Sequence, residues 1–439
     1  MQIRTLASGN INNPIYTKLS LGATVSGYSS DEALGAGDLV VIDASTCFPS
    51  DVSVAFASLD AGAALLLLDP TDGHKQAVAK HIGFRSKGAS IGYYVVKQQV
   101  ATGVSRYRIV EAGDSKGMVA SVSQAVLGDA NGVKETFPPQ IAFQDVEQVQ
   151  PLTDADVELF LAAIDTVVEP DTASSPPSEL VWQQWVYSSP HSYTASGSVN
   201  SDTGMGPPPS KSISLLLTYT FQGALNNAPQ SGAFQYLGLL ETGIFQNNGM
   251  SNTDDDNYGW IIAALSPTYE APASLFWYAS SPSNTNDVTQ VTTGSSVNIG
   301  FNNNGVSGGY TYSSSTTENI TDWYIKQQTA SSWLYAQNTP FDGSTTSASV
   351  ASGCVNWYSG HINTSEFPVI STSSLQFAVD TVWKTNEVLS TEVDITISNF
   401  MQTDYMMVKE FLGLGTNFVL WTSQSTQSDS FAIDMSVIT

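Results

Sequence analysis

Residues 288 to 317 carry no charged side chain, lie between Asp287 and Glu318, and alternate in polarity on both sides of Asn302-Asn303-Asn304-Gly305. Asn and Gly are strong turn formers, so the stretch reads as a β-hairpin. A four-residue turn would set Phe301 opposite Val306, Ile299 opposite Gly308, Val297 opposite Tyr310, Ser295 opposite Tyr312 and Val291 opposite Thr316. One face then gathers Val291, Val297, Ile299, Phe301, Val306, Tyr310 and Tyr312. The other gathers Thr292, Gly294, Ser296, Asn298 and Gly300 with Ser307, Gly309, Thr311, Ser313 and Ser315.

A ribbon that is apolar on one face and small and polar on the other suits a barrel with lipid outside and water inside, because closure satisfies every backbone group. An arm of about 11 residues at roughly 3.3 Å each, tilted about 40°, spans on the order of 28 Å, close to an apolar band of about 25 Å. One hairpin cannot close a barrel, so several copies must contribute. On this reading the apolar set faces lipid, and Thr292, Ser296, Asn298, Ser307, Thr311 and Ser313 face the lumen. The competing reading is a non-lytic extracellular sandwich, carbohydrate-binding or structural, with the hairpin's apolar face on its core.

Charge narrows the choice of partners. The 439 residues hold 40 acidic and 15 basic side chains, a formal charge of −25, which argues against nucleic acid and against polybasic attachment to anionic lipid. Abundant Ser, Thr, Asn and Gly with only 13% charged residues fit an extracellular or surface β-rich protein. No run approaches the roughly 18 to 20 apolar residues of a membrane helix, so contact with a membrane would be made by strands or by a surface.

Composition also changes along the chain. All nine tryptophans, Trp182 to Trp421, lie after residue 175, and eleven of the fifteen Lys and Arg lie before it. The Pro-, Ser- and acid-rich residues 168–180 read as an exposed linker. Residues 1–167 read as a small α/β domain, a pro-region or chaperone or else a targeting domain: Leu39–Ile42, Ala63–Leu68, Ile91–Val96 and Tyr107–Val110 as strands, Thr71–Ile82 and Asp154–Val168 as helices. Residues 181–439 read as a β-rich core, with Ser212–Phe221, Leu375–Trp383 and Glu392–Ile397 among its strands. The fold class expected is therefore mainly β, a sandwich or barrel with a small amino-terminal α/β part.

Other constellations carry less. His74 and His81 are two helical turns, roughly 10 Å, apart, too far to share a metal ion, which points to a solvated or structural role. Asp254-Asp255-Asp256-Asn257 is either a solvated turn or a calcium loop, without EF-hand spacing. Cys47 and Cys354 form no CxxC pair and read as small buried hydrophobes. No nucleophile elbow or Ser/His/Asp order is present, so no catalytic residue, cofactor or metal is expected. The aromatic clusters Trp182 to Tyr187 and Phe276-Trp277-Tyr278 are either core packing or contacts to lipid or glycan.

Over roughly residues 210 to 400 the sequence resembles the leukocidin and haemolysin family of β-barrel pore-forming toxins, in particular the cytolysin branch with an amino-terminal pro-region. The resemblance is carried by Val297-Asn298-Ile299-Gly300-Phe301, Gly308-Gly309-Tyr310-Thr311-Tyr312-Ser313, Asp322-Trp323-Tyr324-Ile325, Trp333-Leu334-Tyr335 and Glu392-Val393-Asp394-Ile395-Thr396-Ile397. It implies a β-sandwich cap, a stem at 288–317 and a lipid-touching rim at about 330–370 with Trp333, Tyr335, Phe341, Trp357 and Tyr358. It also implies a secreted protein that meets lipid or surface glycan on a target-cell membrane and assembles with copies of itself. The lectin domains that often follow such a core are missing, and the stem arms look short.

Overall fold

A computed structural model of the chain describes residues 2–7, 10–21, 23–30, 34–88, 90–101, 104–113, 119–129, 132–136, 140–144, 154–165, 182–195, 211–226, 232–246, 258–281, 291–292, 295–303, 306–314, 317–318, 323–337, 355–356, 361–362, 374–410 and 416–438. The chain begins with β1 (Gln2–Leu6), α1 (Pro14–Ser20), β2 (Thr24–Gly27), β3 (Leu39–Asp43), α2 (Phe56–Asp60), β4 (Ala64–Leu68) and α3 (Asp72–Ile82). It continues through β5 (Phe84–Lys87), β6 (Gly92–Ala101), β7 (Val104–Ala112), β8 (Val119–Asp129), β9 (Gly132–Thr136), β10 (Gln140–Gln144) and α4 (Asp154–Asp165). Next come β11 (Trp182–Ala195), β12 (Lys211–Asn226), β13 (Phe234–Gln246), β14 (Tyr258–Glu270) and β15 (Phe276–Ser281). The central ribbon is β16 (Val291–Thr292), β17 (Ser295–Asn303), β18 (Val306–Ser314) and β19 (Thr317–Glu318). The remainder is β20 (Trp323–Thr329), β21 (Ser332–Gln337), β22 (Val355–Asn356), β23 (His361–Ile362), β24 (Ser374–Lys384), β25 (Glu392–Glu410) and β26 (Thr416–Asp434).

The molecule is mainly β. An 11-stranded sheet runs β15-β24-β13-β12-β11-β7-β6-β4-β3-β1-β2, and a 9-stranded sheet has the path β10-β8-β26-β25-β14-β21-β20, with β5 on β26 and β9 on β8. The two pack face to face. Leu217, Phe221, Leu239 and Phe377 of the first meet Leu265, Tyr335, Ile397 and Phe431 of the second in one continuous core. β24 contributes Leu375, Phe377, Val379 and Trp383 to that core, all of one parity in a strand buried throughout Phe377–Trp383.

The amino-terminal part forms as the periodicities indicate, and its caps are local. Thr71 Oγ1 lies 2.7 Å from His74 Nδ1 at the start of α3, and Gly83 ends the helix at φ +80°. His74 is thus buried as a structural cap, its Nε2 3.0 Å from the Cys47 carbonyl. His81 stacks on Phe56 and pairs with Asp60 at 3.2 Å. Cys47 is half-buried rather than buried.

The linker expected at 168–180 lies outside the described residues, but the strands on either side of it are joined. β7 pairs in parallel with β11, Gln183 opposite Ser105 through Ser188 opposite Val110, while β5 and β8 both pair with β26. Strand pairing thus joins residues from both sides of 168–180 in the same sheets. Phe84 is the hub of the joint. Its ring packs on Trp185, Phe221 and Phe431 at centroid distances of 6.0, 5.5 and 5.6 Å, and Trp185 Nε1 donates to the Ile82 carbonyl at 2.8 Å. A second core, including Ile3, Val41, Leu66, Val110 and Phe160, lies where α1 and α4 cover the amino-terminal end of the larger sheet.

Candidate functional site

The charge-free segment is a hairpin, but in another register than a four-residue turn gives. Val297 lies opposite Tyr312, Ile299 opposite Tyr310, Phe301 opposite Gly308 and Asn303 opposite Val306. Two residues, Asn304 and Gly305, therefore separate the arms; Asn-Gly is the preferred pair for a two-residue hairpin loop, which accounts for the tighter register. The shift is two residues and strand faces repeat every two, so both sets of positions keep their parity. Val291 opposite Glu318 and Thr292 opposite Thr317 continue the same register at the base.

β17 and β18 have nine residues each. At about 3.3 Å per residue and a tilt of about 40°, nine residues cross about 23 Å, close to the apolar band of about 25 Å. The hairpin pairs only with itself among the described residues, and β17 lies against β24 and β15.

Its flanks share one property. β15, the strand before it, ends the 11-stranded sheet, and β20, the strand after it, ends the 9-stranded sheet. The two edges meet directly: Gln327 Nε2 of β20 donates to Ser280 Oγ of β15 at 2.7 Å. The hairpin therefore springs from one lateral side of the sandwich, between two sheet edges.

The aromatic candidates divide sharply. Trp333 and Tyr335, expected at a membrane rim, are buried between the sheets: Trp333 packs on Tyr269 at 5.4 Å, and Tyr335 donates to the Ala378 carbonyl at 2.9 Å. That corrects the expectation for this state, because β21 alternates and turns both rings inward. Phe341, Trp357 and Tyr358 lie outside the described residues, as do Asp254 to Asp256 and Cys354. Trp185 and Tyr187 are core residues, whereas Phe276, Trp277 and Tyr278 are 48%, 50% and 41% exposed.

A buried polar chain escaped the sequence reading. Glu241 of β13 accepts from Tyr269 at 2.6 Å and Asn399 at 2.7 Å, and Tyr219 donates to Asp429 at 2.8 Å. Asn399 Nδ2 also reaches the Tyr219 hydroxyl at 3.3 Å, so the chain crosses both sheets. Burial pushes the Glu241 carboxyl up to about 7, although both hydrogen bonds pull the other way. Asp404 on β25 is likewise raised to about 7 by burial, and its Oδ2 has no hydrogen-bond partner. The signal was present as a lone acid inside the apolar run Phe234–Gln246.

No family model matches the chain, and no curated protein matches it. Among solved structures, a pore forming protein is similar at 10% identity and a TM-score of 0.37, covering 56% of this chain and 92% of its own. Clostridium perfringens delta-toxin is similar at 13% identity and a TM-score of 0.35, covering 56% of this chain and 90% of its own. At that depth neither likeness bears on activity. No helix among the described residues is long and apolar enough to cross a membrane.

Proposed function

We propose that this chain is a secreted pore-forming toxin. It meets lipid or surface glycan on a target-cell membrane, assembles with copies of itself into a ring, and inserts one hairpin per copy into a shared barrel. The observation that carries this reading is the hairpin: charge-free from 288 to 317, held in a single register, and rooted between two sheet edges.

The physical argument is closure. A lone two-stranded ribbon leaves two rows of backbone groups unpaired, which water tolerates and hydrocarbon does not. Pairing each first arm with a neighbour's second arm removes every edge and gives an even number of strands. The positions of Val291, Val297, Ile299, Phe301, Val306, Tyr310 and Tyr312 would then meet lipid, and those of Thr292, Ser296, Asn298, Ser307, Thr311 and Ser313 the lumen. Phe341, Trp357 and Tyr358 remain the proposed rim contacts.

Dye-loaded liposomes and electron micrographs of the lipid-incubated protein test the reading. Release accompanied by ring-shaped particles is expected. A protein that stays monomeric on lipid and releases nothing, even after proteolytic nicking, would instead be a non-lytic sandwich.

A further inference from the structure

β15 is six residues, Phe276-Trp277-Tyr278-Ala279-Ser280-Ser281, with no charge, at the end of an 11-stranded sheet. Edge strands of soluble proteins are usually guarded by Lys, Pro or a covering element, because an open row of N–H and C=O groups invites another chain. β15 does have one irregularity, a shift in its pairing with β24 between Trp277 and Ala279. It also presents three adjacent aromatics, each about half exposed, the longest contiguous run of exposed large apolar side chains among the described residues. An uncharged edge strand that exposes large aromatics on both its faces is a candidate interaction surface.

The hairpin tells which partner fits. β15 feeds the first arm and β20 receives the second, and Gln327 joins the two strands on one side of the sandwich. If neighbouring hairpins pair arm to arm, the strands that feed those arms are brought beside the neighbouring copies. β17 rests against β15 and β24 in this state, so its departure on insertion would uncover more of the same side.

We infer that the side formed by β15 and β20 is the docking surface for a second copy of this chain, with Phe276, Trp277 and Tyr278 as its apolar anchor. This rests on the pore-forming reading. A net charge of −25 makes copies repel at long range, so an uncharged aromatic contact is the economical means of holding them together. The surface would be heterologous, meeting a different face of the neighbour, as a closed ring requires.

The test compares full-length wild type with Trp277→Lys, Phe276→Glu and the hairpin variant Val297→Lys on phosphatidylcholine–cholesterol liposomes. Co-sedimentation, chemical cross-linking and dye release are read together, with thermal unfolding as the folding check. Trp277→Lys and Phe276→Glu should co-sediment like wild type, give monomers where wild type gives cross-linked oligomers, and release dye at least tenfold more slowly. Val297→Lys should cross-link like wild type and release little. If both β15 variants cross-link as wild type does, the surface is not the interface. If they lose co-sedimentation, the aromatics contact lipid and the inference also falls. Should wild type itself form no oligomer and release nothing, the pore-forming reading fails with it.

Discussion

The Tyr269 hydroxyl donates to Glu241 Oε2 across 2.6 Å and ties β14 of one sheet to β13 of the other in the middle of the sandwich. Among the described residues no cation acts on Glu241. Facing it are Tyr269 and Asn399, with Asp429, Tyr219 and Tyr335 close enough to act electrostatically. Burial lifts its carboxyl from an ordinary 4.5 to about 7, and lifts Asp404 from 3.8 to about 7. The folded chain therefore holds these protons more tightly than the unfolded chain. Stability from them is fully present below about pH 4 and is lost as pH rises through about 7. Glu241 alone would contribute roughly 3 kcal/mol over that window. Urea unfolding at pH 5.5 and pH 8 should show the more acidic sample to be more stable, and Glu241→Gln should flatten the difference. A larger midpoint at pH 8 in wild type would contradict this.

Glu111 is bonded to Lys75 and Ser86, and at 2.8 Å to the Tyr187 hydroxyl, all within the interior. Lys75 Nζ also donates to the Gly88 carbonyl at 2.9 Å. Removing one member of a buried ion pair strands the other charge, so Glu111→Leu should cost about 3 to 5 kcal/mol. Adding Lys75→Met should recover most of that loss. Chemical denaturation of the two variants checks it: equal losses from single and double variants would mean that the pair is not coupled.

Gly83 adopts φ +80°, and a Cβ there would overlap the Val437 side chain. Gly83→Ala combines a left-handed backbone with overpacking where α3 meets the carboxyl-terminal turn, and should lower stability by about 2 to 4 kcal/mol. Equilibrium unfolding would show a lower midpoint with an unchanged slope.

Because β5, β7 and β8 pair with β26 and β11, a protease that cuts within 168–180 should leave two fragments held in shared sheets. Limited proteolysis should give two bands under denaturing conditions and one peak at the parent position in native size exclusion. Separation without denaturant would mean that the amino-terminal part is a removable pro-region after all.

The elements were largely legible because their periods are clean. Leu39–Asp43, Ala64–Leu68, Asp72–Ile82 and Ser374–Lys384 all form where apolar spacing places them. Long-range joints were not legible. Nothing local in Phe84-Arg85-Ser86-Lys87 says that it pairs with Phe431 and Ile433, more than 340 positions away, on the far side of the change in composition near residue 175. The places of Trp333 and Tyr335 were not legible for a related reason: both have the same composition whether they face lipid or core, and only their alternation against β14 turns them inward. The hairpin was readable because its parity survives a register error of two.

That parity is the central claim, and paired charge insertion tests it most directly. Val297→Lys and Asn298→Lys are adjacent in β17 but opposite in parity, so liposome dye release and planar-bilayer conductance of the two should diverge. A lysine facing lipid near mid-bilayer costs about 2 to 4 kcal/mol per subunit, enough across a ring to stop insertion. Val297→Lys should therefore release almost nothing, while Asn298→Lys should release dye near the wild-type rate with selectivity moved toward anions. Equal effects from the two substitutions would contradict the account.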